Sequence, residues 1–224
     1  MYAVVFYVAI SLGFRHAKHM DGLYVPYFVW LITGIFAWFY MQGMIVGGAN
    51  CFKRFRPIVR NMGFPTDTIP VVASMTELFI HVPIMIMLLI GLCICGFPPS
   101  IYWLQLPLYT ALMVLFSIFW CFALGSISSL SKDITNFLST ISQALFWLSG
   151  IIFDISNIDY PVRSVFLVNP ITFIVTGYRD TICKHIWIWE KPLELLCFML
   201  MMVLMMLVGM FFYSRLRKML PDII

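Results

Sequence analysis

The sequence predicts an all-α polytopic membrane protein. It reads as a single transmembrane domain over residues 1–224, with six transmembrane helices, the first apparently truncated, and a re-entrant helical segment before the last. Three observations predict this. The 224 residues are 62% hydrophobic and only 11% charged, whereas soluble domains are about 25% charged. Apolar runs approaching or exceeding the roughly 20 residues that cross a bilayer recur along the chain. Lys and Arg collect between those runs, above all in Ala49–Asn61, where four of thirteen residues are basic: Lys53, Arg54, Arg56 and Arg60. Because translocation of Lys and Arg is disfavoured, a dense positive loop between two spans marks the cytoplasmic face.

Composition also excludes chemistry. The formal charge of +4 sits in flanking loops and does not point to nucleic acid. No Gly-Lys dipeptide occurs, so the chain has no P-loop of its own. Five of the six cysteines, Cys51, Cys93, Cys95, Cys121 and Cys197, fall in or at apolar runs, where they act as small hydrophobes. Only Cys183 is expected to face outward, so no disulfide framework is implied. No C-x-x-C pair or zinc-spaced His/Cys cluster occurs, and no metal is expected.

In chain order, Met1–Phe14 is apolar but short, and reads as a first span whose N-terminal part is missing. Arg15–Gly22 is a polar turn with His16 and His19 at i,i+3. With no third ligand nearby, a solvated loop is favoured over a metal site. Tyr24–Gly48 is the second span, with Tyr24, Tyr27 and Trp30 as interfacial anchors and Trp38 deeper. Its end, Gly43-x-x-x-Gly47 with Gly48, permits close helix approach. In the basic loop, Pro57 suits a first helical position, Ile58–Met62 makes about one turn, and Gly63 suits the residue after its end. Thr68 is the expected N-cap of the third span, with Pro70 in its first turn; the span runs to Gly96.

That third span holds Glu77 and His81 at i,i+4 on one face. Intramembrane ionisable groups are costly and face the bundle interior or water. A substrate or proton site is the sharper reading and a polar contact near the interface the plainer one. A proton relay normally needs a longer chain of such groups, so the plainer reading is preferred. Phe97–Gln105 is a short turn, Leu106–Ile127 the fourth span, Ser128–Asn136 a short inner loop and Phe137–Phe153 the fifth span. Asp154–Pro192 is long and carries apolar runs too short to span, which fit short helices dipping back into the outer leaflet. Asn169 suits the cap of a helix opened by Pro170. Arg179 and Asp180 are adjacent, so they point in different directions. Leu193–Tyr213 is the last span, followed by Arg215, Arg217 and Lys218. The presumed inner loops carry eight basic residues against six opposite, which places both termini in the cytoplasm.

The ordered set resembles the membrane subunit of ABC-2 type exporters, especially those for O-antigen, capsular polysaccharide and teichoic acid. The pieces are the basic loop leading into Asn61-Met62-Gly63-Phe64-Pro65, the fifth span ending Leu148-Ser149-Gly150-Ile151-Ile152-Phe153, and Leu167-Val168-Asn169-Pro170-Ile171-Thr172 followed by Gly177-Tyr178-Arg179-Asp180. The resemblance implies a homodimer in the bacterial inner membrane with a path between the subunits, and no catalytic activity in this chain. Each copy would dock a separate ATPase, which carries ATP and magnesium, through the inner segment of Lys53, Arg54, Arg56, Pro57, Arg60 and Gly63. The cargo would be a lipid-linked polysaccharide. Tyr160, Pro161, Asn169, Pro170, Tyr178, Arg179 and Asp180 would belong to an outer gate. Trp38, Trp120, Phe146 and Trp147 are candidate path-lining residues because ring faces pack on sugars, and Glu77 and His81 are candidates as ionisable groups within a span. The alternatives are an ABC-2 exporter of drugs or small lipids and a proton-coupled carrier using Glu77 and His81. A membrane enzyme ranks last, because the acids and histidines are scattered.

Overall fold

The computed structural model describes residues 18–20, 23–62, 64–155 and 162–217. A hairpin of two three-residue strands, β1 (Lys18–Met20) and β2 (Leu23–Val25), pairs Lys18 with Val25 and Met20 with Leu23. It stands where the sequence suggested a polar turn. Everything else that is regular is helical. The expected first span, His16 and Gly63 lie outside the described residues.

Four helices are long and apolar enough to cross a membrane: Tyr27–Gly48, Thr66–Ile94, Ile101–Ser128 and Pro192–Leu216. They match the second, third, fourth and last expected spans. The first is α1 (Tyr27–Gly43), which continues through a π segment, Met44–Gly48. Two short helices follow, α2 (Cys51–Arg54) and α3 (Arg56–Met62). Next come α4 (Ile69–Ile94) and α5 (Leu106–Trp120), the latter continuing through a second π segment, Cys121–Gly125. The chain closes with α6 (Lys132–Leu148), α7 (Val162–Val168), α8 (Pro170–Arg179) and α9 (Pro192–Leu216).

Local chemistry sets several boundaries differently from expectation. Thr68 does not cap α4 through its side chain. Its hydroxyl donates to the Pro65 carbonyl at 2.8 Å, inside a 3-10 turn over Thr66–Thr68. The helix expected at Phe137–Phe153 instead starts at Lys132, because Ser131 caps it by accepting from the Asp133 amide at 3.1 Å. It ends at Leu148, ahead of Gly150 at φ 63°, and at 17 residues is shorter than the four spans.

Of the four long helices, α1, α5 and α9 run toward one end of the bundle and α4 runs away from it, so the bundle has two ends. The basic segment lies at one. The α4–α5 turn and the start of α9 lie at the other. Between helices in lipid there is little hydrophobic driving force, so close packing and small residues decide where backbones meet. Gly48 and Gly125, one in each π segment, are such a place: a Cβ built on Gly125 falls 3.0 Å from the Gly48 carbonyl and 3.0 Å from Cys51 Sγ. Gly209 of α9 sits against the same segment, 3.3 Å from the Ala123 amide by the same measure. A file of rings, Tyr109, Phe173, Phe198 and Phe116, then links α5, α8 and α9 through centroids 5.7, 4.6 and 6.0 Å apart. The outward faces of α4 and α9 stay apolar and uncovered, as at Phe79 and Leu200, which is the face a span offers to lipid.

Candidate functional site

The basic segment folds into a firm base with free tips. Asn50 accepts from the Thr135 hydroxyl at 3.1 Å and donates to the Val46 carbonyl at 3.2 Å. Lys53 Nζ donates to the Ser131 carbonyl at 3.1 Å. Partial burial, aided by Lys132 nearby, holds the Lys53 ammonium below its usual pKa. Phe52 is fully buried and stacks on Tyr213 of α9 at 5.9 Å. The Tyr213 hydroxyl bonds in turn to Thr66 at 2.8 Å and to the Asp67 carboxylate. Beyond this base, α3 buries Val59 and exposes Arg56, Pro57, Ile58 and Arg60, with Arg54 exposed beside it. Arg56 and Arg60, at i,i+4, share a face. The result is a helix of about two turns whose free surface is cationic around Pro57 and Ile58.

At the opposite end, α8 is the most enclosed element: eight of its ten residues are buried. Asn169 caps it, accepting from the Ile171 amide at 3.0 Å and donating to Ser149 at 3.0 Å, with Pro170 in its first turn. Arg179 is fully enclosed. Its guanidinium donates to the carbonyls of Trp30, Gly150 and Ile151 at 3.1, 2.7 and 2.5 Å, and lies 3.4 Å over the Trp30 ring. Gly34 makes the room: a Cβ there would fall 2.3 Å from the guanidinium. Asp180 turns away and pairs with Lys191, which also lies 4.0 Å from Glu194. Lys184 pairs with Asp154 at 3.3 Å, and Arg163 with Glu194 at 3.8 Å. These pairs tie α7 and the turn after α8 to the start of α9, and that turn to the one after α6. Tyr160 and Pro161 lie outside the described residues.

Glu77 and His81 go to different partners. The Glu77 carboxylate lies against Gly43, where a Cβ would be 2.8 Å from Oε2. His81 Nε2 is 3.1 Å from the Tyr178 hydroxyl, which is 2.7 Å from Thr110 Oγ1, which itself donates to the Leu106 carbonyl at 2.8 Å. With the threonine proton committed to the carbonyl, Tyr178 donates to Thr110 and accepts from Nε2–H of His81. The chain ends on a backbone carbonyl, which can accept a proton's hydrogen bond but cannot pass the proton on. It reads as a structural tie between α4, α5 and α8.

His81, Thr110 and Tyr178 form the polar wall of an otherwise apolar groove of about 730 Å³ between α4 and α5. A second cavity of about 260 Å³ is lined by Trp120 and by Met41, Met44, Met201 and Met205. Trp120 Nε1 donates to the Ile45 carbonyl at 3.3 Å. Trp38 is buried with Phe146 edge-on to it at 5.6 Å, and Trp147, half-exposed, adjoins Phe146 at 5.8 Å. The six path-lining candidates therefore fall at several places within one chain. Cys183, expected to face outward, is buried, while Cys93 and Cys95 are exposed; all six cysteines are free.

Sequence reasoning missed Gln105, which is buried at the start of α5. Its amide donates to the Ile186 carbonyl at 2.7 Å and accepts from the Ile188 amide at 3.1 Å. A lone Gln between apolar runs was the signal. It also missed the rings gathered around that loop, for which the Trp187-x-Trp189 alternation was the clue.

The comparisons agree on kinship. The family model described as ABC-2 type transporter matches residues 1–183. Among known proteins, the chain is 23% identical over 165 residues to the O-antigen export system permease protein RfbA of Myxococcus xanthus, covering 71% of this chain and 62% of that protein. It is 22% identical over 182 residues to a protein of the same name from Klebsiella pneumoniae, covering 80% and 68%. A second protein of that name from Klebsiella pneumoniae is 21% identical over 195 residues, covering 85% and 71%. The matches span about two thirds of the length of these relatives. A family match over residues 1–183, on a bundle of apolar helices with a basic turn at one end, places this chain in the ABC-2 type transporter family, as a multi-pass membrane transport protein.

Proposed function

We propose that the chain is the permease subunit of an ATP-driven exporter that moves a lipid-linked polysaccharide across the bacterial cytoplasmic membrane. The observation that carries this is the match to three O-antigen export permeases on a chain that has no nucleotide-binding motif. In this reading the basic end is cytoplasmic, both termini face the cytoplasm, and α6 joins the four long helices and the N-terminal segment to give six crossings. The helices α7 and α8 form the re-entrant hairpin that serves as outer gate. Two copies enclose the path, and α3 of each docks an ATPase subunit that binds ATP and magnesium. The geometry supports a lever. Because α2 is clamped to α6 by Lys53 and Asn50 and to α9 by Phe52 and Tyr213, a push on α3 reaches three helices at once.

The test is deletion of the chain followed by staining for surface polysaccharide, with affinity purification of the tagged chain from the complemented strain. The expected outcome is loss of surface polysaccharide, its return on complementation, and recovery of a complex holding two copies of the chain and two ATPase subunits. A chain that purifies alone and leaves surface polysaccharide unchanged when deleted would overturn the reading.

A further inference from the structure

Four rings gather at the end opposite the basic segment, from two separate stretches of chain. Tyr102, in the turn before α5, lies 5.2 Å from His185 with the planes within 26°, and 4.9 Å from Trp187. Trp187 stacks on Trp189 at 4.6 Å with planes 10° apart. Trp189 is 63% exposed, and the other three are half-buried. The loop that carries three of them is held rigidly. Gln105 makes both of its amide hydrogen bonds to Ile186 and Ile188. Glu190 accepts from the Trp187 amide at 3.1 Å. His185 sits at φ 53°, a conformation that non-glycine residues adopt at a cost and that clusters at ligand-holding positions.

We propose that Tyr102, His185, Trp187 and Trp189 form a platform that binds a sugar ring of the glycan on the outer side of the membrane. The proposal rests on the polysaccharide reading above and names a site for that cargo. Aromatic faces carry negative charge density, which complements the C–H groups that line one face of a pyranose. The exposed Glu190 carboxylate, the His185 ring nitrogens and the Tyr102 hydroxyl supply hydrogen-bonding groups at the rim for the sugar hydroxyls. Interfacial anchors are usually amphipathic rings set singly at headgroup level. Here the rings pack on one another on a pinned loop and back the exposed Trp189, and that pre-organisation lowers the ordering cost of binding a ligand.

The experiment uses the full chain with its ATPase partner in lipid nanodiscs. The probe is the surface polysaccharide purified from cells that carry the chain, with binding followed by calorimetry. Replacing both Trp187 and Trp189 by Ala should weaken binding about tenfold or more, as expected for losing two stacking faces. Replacing both by Phe, which keeps two faces and protects against a mere folding defect, should restore most of it. Unchanged affinity in the alanine variant would overturn the proposal. So would strong quenching of the Trp189 emission, taken as the difference from Trp189→Phe, by brominated lipid whether or not the polysaccharide is present: that is the behaviour of a membrane anchor. Failure of the two readings is separable. If deletion of the chain leaves surface polysaccharide intact, the export reading falls and takes the platform with it. If deletion abolishes it while the alanine variant binds and exports normally, the platform alone falls.

Discussion

Arg56 and Arg179 are the same side chain placed in two different solvents. Arg56 stands on an exposed helical turn with Arg54 and Arg60 close by in sequence, and its charge faces water. Arg179 is sealed inside the bundle, satisfied by three backbone carbonyls and one indole face. An exposed arginine contributes little to stability and remains free to meet a partner. A buried one has lost its hydration and persists because each of its three nitrogens donates to a carbonyl and its face lies on an indole ring. Two ends of one bundle thus place one residue type oppositely: sealed in and fixed at the second, and at the first exposed, where it is available for the docking role proposed above.

The comparison breaks most visibly at Arg179. Replacement by Met removes the charge but strands the carbonyls of Gly150 and Ile151, which hold the turn after α6 against α8. A loss of about 2–5 kcal/mol is expected, from two buried carbonyls stranded at about 1–3 kcal/mol each. Lys should fail nearly as badly, because an ammonium cannot reach three carbonyls spread around a planar fork. Thermal unfolding in detergent measures both. Wild-type stability for Arg179→Lys would show that charge alone, and not the fork, holds the turn.

A smaller effect is expected one element away. Lys191 neutralises Asp180, whose second carboxylate oxygen is buried without a hydrogen-bond partner among the described residues. Lys191→Met should cost about 1–2 kcal/mol, less than a wholly buried pair because the lysine is 27% exposed. The double variant Lys191→Met with Asp180→Asn should regain most of that loss, since it removes the uncompensated charge as well as its partner. Unfolding of the wild type, Lys191→Met, Asp180→Asn and the double variant as a double-mutant cycle checks the coupling. Strict additivity would show that the pair contributes nothing to closing this end.

How far these two ends were legible in the sequence differs for a physical reason. The basic segment is local: four cations, Pro57 and a short apolar turn lie within thirteen residues, and the helix Arg56–Met62 falls where that pattern puts it. The Asn169 cap and Pro170 are local too, and both stand as read. Arg179 was singled out, yet its partners lie 149, 29 and 28 residues away, and nothing in spacing reveals a tertiary carbonyl cage. Glu77 and His81 show the same limit, since the preferred reading of a plain polar contact suits His81 but could not name its partner. Their i,i+4 spacing invites pairing, but Tyr178 of α8 takes the histidine and the glycines of α1 leave space beside the carboxylate. The fifth helix is displaced because the polar stretch Ser128–Asn136 reads as a loop, whereas Ser131 caps a helix that begins within it at Lys132.

The smallest effect on stability, and the sharpest test of the comparison, is expected at the basic end. Arg56→Glu with Arg60→Glu reverses two charges that touch water and make no hydrogen bond within the described residues, so unfolding should shift by no more than about 0.5 kcal/mol. If this turn docks the ATPase as proposed, export should nevertheless be lost, because the reversed charges would repel an acidic surface that the cationic turn attracts. Pull-down of the ATPase subunit and staining for surface polysaccharide read the two consequences. Salt gives an independent check on the wild type: contacts made through exposed charges weaken as the Debye length falls from about 10 Å at 0.1 M to about 3 Å at 1 M, so ATPase recovery should drop with salt while Arg179 and the fold it fixes stay in place. If the reversed protein still binds its ATPase, the exposed arginines are topological markers alone, and the division of labour between the two ends fails at this end only.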